Sequence, residues 1–168
     1  GRKPFRGRNQ LVLDMGRKDV QEYIKKCFFD IMDQANIEYV KLDMNRSIGN
    51  VYANDLPAQR QGEVLHRYVL GLYNVLNAIV ERYPDLLIES CSGGGGRFDA
   101  GMLYYAPQAW CSDNTDAIDR IKIQYGSSFG YPISSVGSHV SVCPNEQTGR
   151  TVPIETRGAV AMAGTFGY

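Results

Sequence analysis

Two hydrophobic periods alternate along the chain. Val20, Tyr23, Ile24, Cys27, Phe28, Ile31 and Met32 recur at the three- and four-residue spacing that lines one face of a helix. The same spacing returns from Val64 to Val80 and stops at Pro84, whose ring cannot continue a helix. Between and after these stretches stand short apolar runs with strand character: LVLDM at 11–15, EYVKLDM at 38–44 and LLIESC at 86–91. The later chain keeps the rhythm. A short helix is expected from about Phe98 to Tyr105, a strand at AWCSD, a helix from Asp116 to Tyr125, and a strand at YPISSV. A helical stretch from Ile154 to Met162 then precedes a last strand at GTFGY, 164–168.

Strands alternating with helices predict an α/β fold with parallel strands, either an open doubly wound sheet or part of a (β/α)8 TIM barrel. The 168 residues fall short of the roughly 250 that close an eight-stranded barrel. A barrel reading is therefore a partial barrel. No internal repeat or low-complexity linker divides the chain.

Polar residues break the apolar pattern at one recurring place, the C-terminal ends of the strands. Lys41, Asp43 and Asn45 alternate with Leu42 and Met44 in KLDMN, so the three polar side chains share one face of a strand. Asp14, Cys91, Asp113 and His139 stand at comparable positions after their own apolar runs. In both α/β architectures the ligand sits at that end, and a barrel brings all strand ends to one pocket.

The glycine run in CSGGGGRFD lets backbone approach a ligand or a neighbouring loop closely. It matches neither the P-loop nor the dinucleotide fingerprint, so a nucleotide is not the expected ligand. In SDNTDAIDR, Asp116 and Asp119 fit a helix N-terminus, where acids satisfy amide groups and offset the macrodipole. Asp113 precedes that helix and is free for chemistry.

Bulk properties narrow the partner. Eighteen basic and eighteen acidic residues cancel, which gives no global field for nucleic acid or anionic membrane. No apolar run has the length of a membrane span. Cys27, Cys91, Cys111 and Cys143 form no close pair, so neither a zinc knuckle nor a disulfide framework is expected. The N-terminus has no initiating Met and no signal-like apolar core; the chain is read as beginning in mid-protein, from a cytoplasmic parent. A small or neutral ligand, without metal or cofactor, fits these limits.

The motifs KLDMNR, ESCSGGGGRFD, WCSDNTDAIDRIKIQYG and GSHVSVCPNEQTGR, with GRNQLVLDM upstream, resemble the catalytic barrel of glycoside hydrolase family 36, the bacterial and fungal α-galactosidases. The resemblance covers essentially the whole chain. It implies a retaining hydrolase of α-D-galactosides such as melibiose and raffinose, with Asp43 at the nucleophile position and Asp113 at the acid/base position. Lys41, Asn45, Cys91 and Gly94 match positions lining the galactose pocket, and Arg8 matches an arginine that reaches the sugar. Such chemistry needs one carboxylate to attack the anomeric carbon and one carboxyl to protonate the leaving oxygen.

The same resemblance implies that residues 1–168 span about strands three to eight of the barrel, without the family's N-terminal β-sandwich and C-terminal β-domain. The parent is then expected to be a homo-oligomer. Leu42 stands where the family usually has tryptophan, and Glu146 where it commonly has histidine. An α-N-acetylgalactosaminidase, a galactosyl-transferring enzyme on the same scaffold, and a non-catalytic sugar-binding module are the alternatives. The fragment by itself is expected to be inactive.

Overall fold

The two long helical periods form as expected in the computed structural model, which describes residues 6–49 and 51–167. Helix α1 spans Lys18–Met32 and α2 spans Val64–Arg82; strand β1, Tyr39–Asp43, lies between them in the chain. The chain divides into two compact units, one of 1–39 and 46–86, the other of 40–45 and 87–168.

In the first unit α2 buries Val75, Leu76 and Ile79 on one stripe, which is the face that the three- and four-residue spacing sets. Helix α1 is tied to it through side-chain amides. Gln21 donates to the Met15 carbonyl at 2.7 Å and accepts from Asn74 of α2 at 2.6 Å. At the far end Asp33 takes an ion pair from Arg82 at 2.6 Å and a hydrogen bond from the Tyr83 hydroxyl at 2.6 Å. The loop before α2 holds a short 3-10 helix, Ala58–Glu63, that the apolar pattern did not mark.

The strand expected at 11–15 is not formed. No strand lies alongside it among the described residues, Leu11 and Leu13 are 56% and 53% exposed, and a strand without a neighbour leaves its backbone groups unpaired. The chain turns instead, with the Asp14 carboxylate accepting the Gly16 N–H at 3.0 Å just before α1.

The second unit carries the strands. In order they are β1, then β2 (Leu87–Cys91), helix α3 (Ala100–Tyr105), β3 (Gln108–Ala109), α4 (Ala117–Ser128), β4 (Gly137–His139), α5 (Ile154–Ala161) and β5 (Thr165–Gly167). One sheet runs β1-β2-β3 and a second pairs β4 with β5. Strand β2 is parallel to β3 with Glu89 opposite Gln108, and β4 is parallel to β5 with Ser138 opposite Phe166. A parallel bridge joins Ala109 to Val136. The architecture is thus α/β with small parallel sheets. The core between strands and helices holds Ile88, Met102, Ala106, Ala109, Val136 and Ala161.

Three boundaries differ from expectation. Helix α3 starts at Ala100, not near Phe98, because the Asp99 carboxylate caps the Met102 N–H at 2.9 Å. The ladder expected through AWCSD ends at Ala109; Trp110 still donates to the Ser90 carbonyl at 2.8 Å, and the chain then leaves the sheet. YPISSV is a 3-10 turn at Ile133–Ser135 followed by a strand from Gly137, since the Pro132 carbonyl accepts both the N–H and the hydroxyl of Ser135. Of the last strand, Tyr168 lies outside the described residues, as do the basic residues of the first five positions.

Candidate active site

Strand β1 presents its polar face as the alternation predicts, with Lys41 and Asp43 exposed and Leu42 half-buried between them. Asn45 donates its amide to the Asp43 carboxylate at 2.5 Å. Lys41 forms an ion pair of 2.9 Å with Glu89 of β2, a structural salt bridge between neighbouring strands. An ammonium has three donors, and one pair leaves others for a ligand.

Cys91 closes the end of β2. Its thiol is pushed up in pKa, first by burial and further by its hydrogen bond to the Asp43 carboxylate, while the Gly94 backbone and Lys41 act the other way. The Met44 N–H donates to the Cys91 carbonyl at 3.1 Å. Arg97 clamps the same two strand ends, donating to the carbonyls of Leu42 and Cys91 at 2.9 and 2.8 Å. Asp43, Asn45, Lys41 and Cys91 therefore form one cluster at the ends of β1 and β2.

The glycine run connects that cluster to Asp113. Gly94 has φ +81°, and a Cβ there would lie 2.9 Å from the Asp113 nitrogen and from the Ser112 Cα. Gly95 lies as tightly against the Cys111 carbonyl, 2.6 Å from where its Cβ would be. The close approach read from the sequence is to a neighbouring loop, and that loop carries Asp113.

Asp113 is exposed and lines a cavity of about 650 Å³ with Thr115, His139, Ser141, Glu146 and Gln147. A second chain of contacts leads from this cavity back to β1. His139 stacks on Trp110 at 4.7 Å between centroids and 16° between planes, and the Lys41 ammonium lies 4.7 Å from the Trp110 ring centre. Burial, then Arg120 and Lys41, lower the pKa of His139, with Glu89 opposing. Arg120, itself buried, lies 4.6 Å from the Trp110 ring and donates to the Cys111 sulfur at 2.8 Å.

Asp116 is where the helix-cap reading put it. Its buried carboxylate accepts the N–H groups of Ile118 and Asp119 at 2.9 and 3.1 Å and the Thr148 hydroxyl at 2.7 Å, and it pairs with Arg150. Burial raises its pKa, and Thr148, the Asp119 N–H and Arg150 outweigh that, so it titrates below an ordinary aspartate. Arg8 and Asp14 belong to the first unit; Arg8 lies exposed at φ +52° in a turn closed by Gln10 N–H to Gly7 carbonyl at 2.9 Å.

Sequence reasoning missed Glu89, Arg97, Trp110, Arg120 and Gln147. Glu89 was findable, because it shares with Cys91 the alternate positions of LLIESC. Among the described residues no group of three His, Cys, Asp or Glu side chains is placed to hold a metal ion, and no helix is long and apolar enough to cross a membrane.

The profile of the Melibiase family matches residues 1–168. The chain is 61% identical over 168 residues to "Alpha-galactosidase Mel36A" of Lactobacillus acidophilus, covering 100% of this chain and 23% of that one. The crystal structure of the GH36 alpha-galactosidase AgaA from Geobacillus stearothermophilus matches with a TM-score of 0.96 at 57% identity, over 99% of this chain and 23% of that one. A variant of AgaA in complex with raffinose matches with a TM-score of 0.96 at 56% identity and the same coverage. The chain thus spans about a quarter of the length of these relatives.

Proposed function

Since the chain belongs to the Melibiase family, we propose that it is the segment of a retaining α-galactosidase that carries both catalytic carboxylates, acting on raffinose-type and melibiose-type α-galactosides. The observation that carries this reading is the double linkage of the two aspartates. Asp43 reaches Asp113 through Cys91 and the Gly94 backbone, and again through Lys41, Trp110, His139 and the shared cavity. Two carboxyl groups linked at one sheet end, with Asp113 lining a cavity, fit a double displacement.

In that mechanism Asp43 attacks the anomeric carbon as the bond to the leaving oxygen breaks, and Asp113 gives its proton to that oxygen. A covalent galactosyl ester on Asp43 results. Asp113, now a carboxylate, takes a proton from water as the water attacks the anomeric carbon, and α-galactose leaves with Asp43 restored. Lys41, Asn45, Cys91 and Gly94 hold the sugar; for Arg8 a sugar contact rests on the family resemblance alone. The relatives are named as α-galactosidases and one is bound to raffinose, so the N-acetylgalactosaminidase alternative is not adopted.

The fold in this reading is a partial (β/α)8 barrel, about strands three to eight. Its support is that β1 to β5 neighbour one another in chain order, through the Ala109–Val136 bridge, with no reversal of order among the described residues; a doubly wound sheet reverses its strand order at the ligand crevice. The whole protein supplies the remaining strands and the flanking β-domains, and works as a cytoplasmic homo-oligomer.

The test uses the full-length protein. Asp43→Ala abolishes turnover of every substrate. Asp113→Ala still reacts with an aryl galactoside bearing a good leaving group, and added azide speeds its turnover and yields the α-galactosyl azide, since azide takes the place of water on the face opposite Asp43. The β-azide from Asp113→Ala, or a β-configured first hydrolysis product from the unmutated enzyme, overturns the retaining assignment.

A further inference from the structure

We propose that Gln147 is a positioning residue for Asp113, its primary amide spanning the two peptide groups that fix where the Asp113 carboxyl points. The Gln147 amide nitrogen donates to the Asp113 carbonyl at 2.7 Å, and its amide oxygen accepts the Thr115 N–H at 3.0 Å. The orientation is unambiguous in chemistry: a backbone carbonyl only accepts and a backbone N–H only donates, so a flipped amide loses both bonds.

Gln147 is anchored in its turn. Its own N–H donates to the Asn145 side-chain oxygen at 3.0 Å, and the Asn145 amide donates to the Thr115 hydroxyl at 3.1 Å. The Asn145 backbone is closed by the Arg150 carbonyl at 2.9 Å. Ser141 adds a hydroxyl bond to the Thr115 carbonyl at 2.9 Å. The segment 145–150 is thereby a rigid brace on one side of the Asp113 loop.

On the other side stands the bare Gly94 Cα against the Asp113 nitrogen. Backbone flanked in this way leaves the side chain as the part of Asp113 that faces the cavity it lines. An acid/base group must meet the leaving oxygen within hydrogen-bond reach, and small displacements cost rate steeply. Removing the brace therefore affects the steps that need the Asp113 proton more than those that do not. This rests on the acid/base reading of Asp113.

The experiment uses the full-length protein with Gln147→Met, which keeps length and packing and removes both hydrogen bonds. With raffinose, whose leaving group needs a proton, kcat falls about 10- to 100-fold. With a dinitrophenyl α-galactoside, whose leaving group needs none, kcat/KM stays within about 3-fold, and azide raises the turnover number. Equal loss on both substrates, or no loss on either, overturns the proposal. Gln147→Asn, one methylene too short to span both peptides, gives the same reading if the Met variant does not fold. Asp113→Ala run in parallel separates the two claims. If it shows no dependence on the leaving group, the acid/base assignment fails and the Gln147 proposal with it; if it does and Gln147→Met does not, the role of Gln147 alone fails.

Discussion

Lys41 of β1 and Glu89 of β2 form an ion pair of 2.9 Å in which the Glu89 side chain is only 5% exposed and that of Lys41 is 40% exposed. A carboxylate so deeply placed depends on its partner for charge compensation. Lys41→Met in the full-length protein is expected to cost about 3 kcal/mol, the lower end of what breaking a buried pair costs, because water reaches the lysine side. Lys41→Met combined with Glu89→Gln recovers most of that loss. Urea midpoints of the three proteins check it; a double variant as unstable as Lys41→Met shows that the pair is not the reason for the loss.

Asp116 does more than cap α4. Its carboxylate serves two backbone N–H groups, the Thr148 hydroxyl and Arg150 at once, so Asp116→Asn is expected to cost about 2–4 kcal/mol, above the value of a lone cap. Because its folded pKa is depressed, its contribution is present above the unfolded value near 4 and is lost as pH falls through the folded one. The acid limb of the stability curve, below about pH 4, is therefore shallower in the Asn variant. Acid denaturation of both proteins reads this directly.

The two long helices and the polar face of β1 were legible because each follows a local period, and a period is written in adjacent residues. What the sequence hid depends on distant partners. LVLDM has the composition of a strand, but a strand is a pairing, and no neighbour lies beside it among the described residues. At YPISSV a turn closed by the Pro132 carbonyl takes Ile133–Ser135, and the strand begins only beyond it, at Gly137. In the site, Asp43 and Asn45 could be matched by spacing, whereas Trp110, Arg120 and Gln147 act through contacts 9 to 34 positions away or across strands, which no local pattern records.

Gly93 and Gly94 are neighbours with opposite expected tolerance. Both have positive φ, +54° and +81°, but a Cβ on Gly93 meets nothing within 4 Å, whereas one on Gly94 meets the Asp113 nitrogen at 2.9 Å. Gly93→Ala should cost about 1–2 kcal/mol of backbone strain and leave kcat intact in the full-length protein. Gly94→Ala carries the same strain and also displaces the Asp113 loop, so it loses activity on raffinose in the folded state. Equal activity of the two variants refutes the role given to the Gly94 contact.

His139 offers a pH-dependent signature. Its pKa is lowered by burial and by Arg120 and Lys41, against a smaller pull from Glu89, so the folded protein holds the imidazole neutral more strongly than the unfolded chain does. The sign follows. Stability is full above the unfolded value near 6.5 and declines as pH falls through the folded value, since protons then bind the unfolded state first. His139→Phe keeps an aromatic ring against Trp110 and removes the titration. Between about pH 6.5 and 5 the thermal midpoint of the wild-type full-length protein should fall more steeply than that of the Phe variant. Parallel curves over that range would mean that His139 does not hold the depressed pKa that its place beside Arg120 and Lys41 implies.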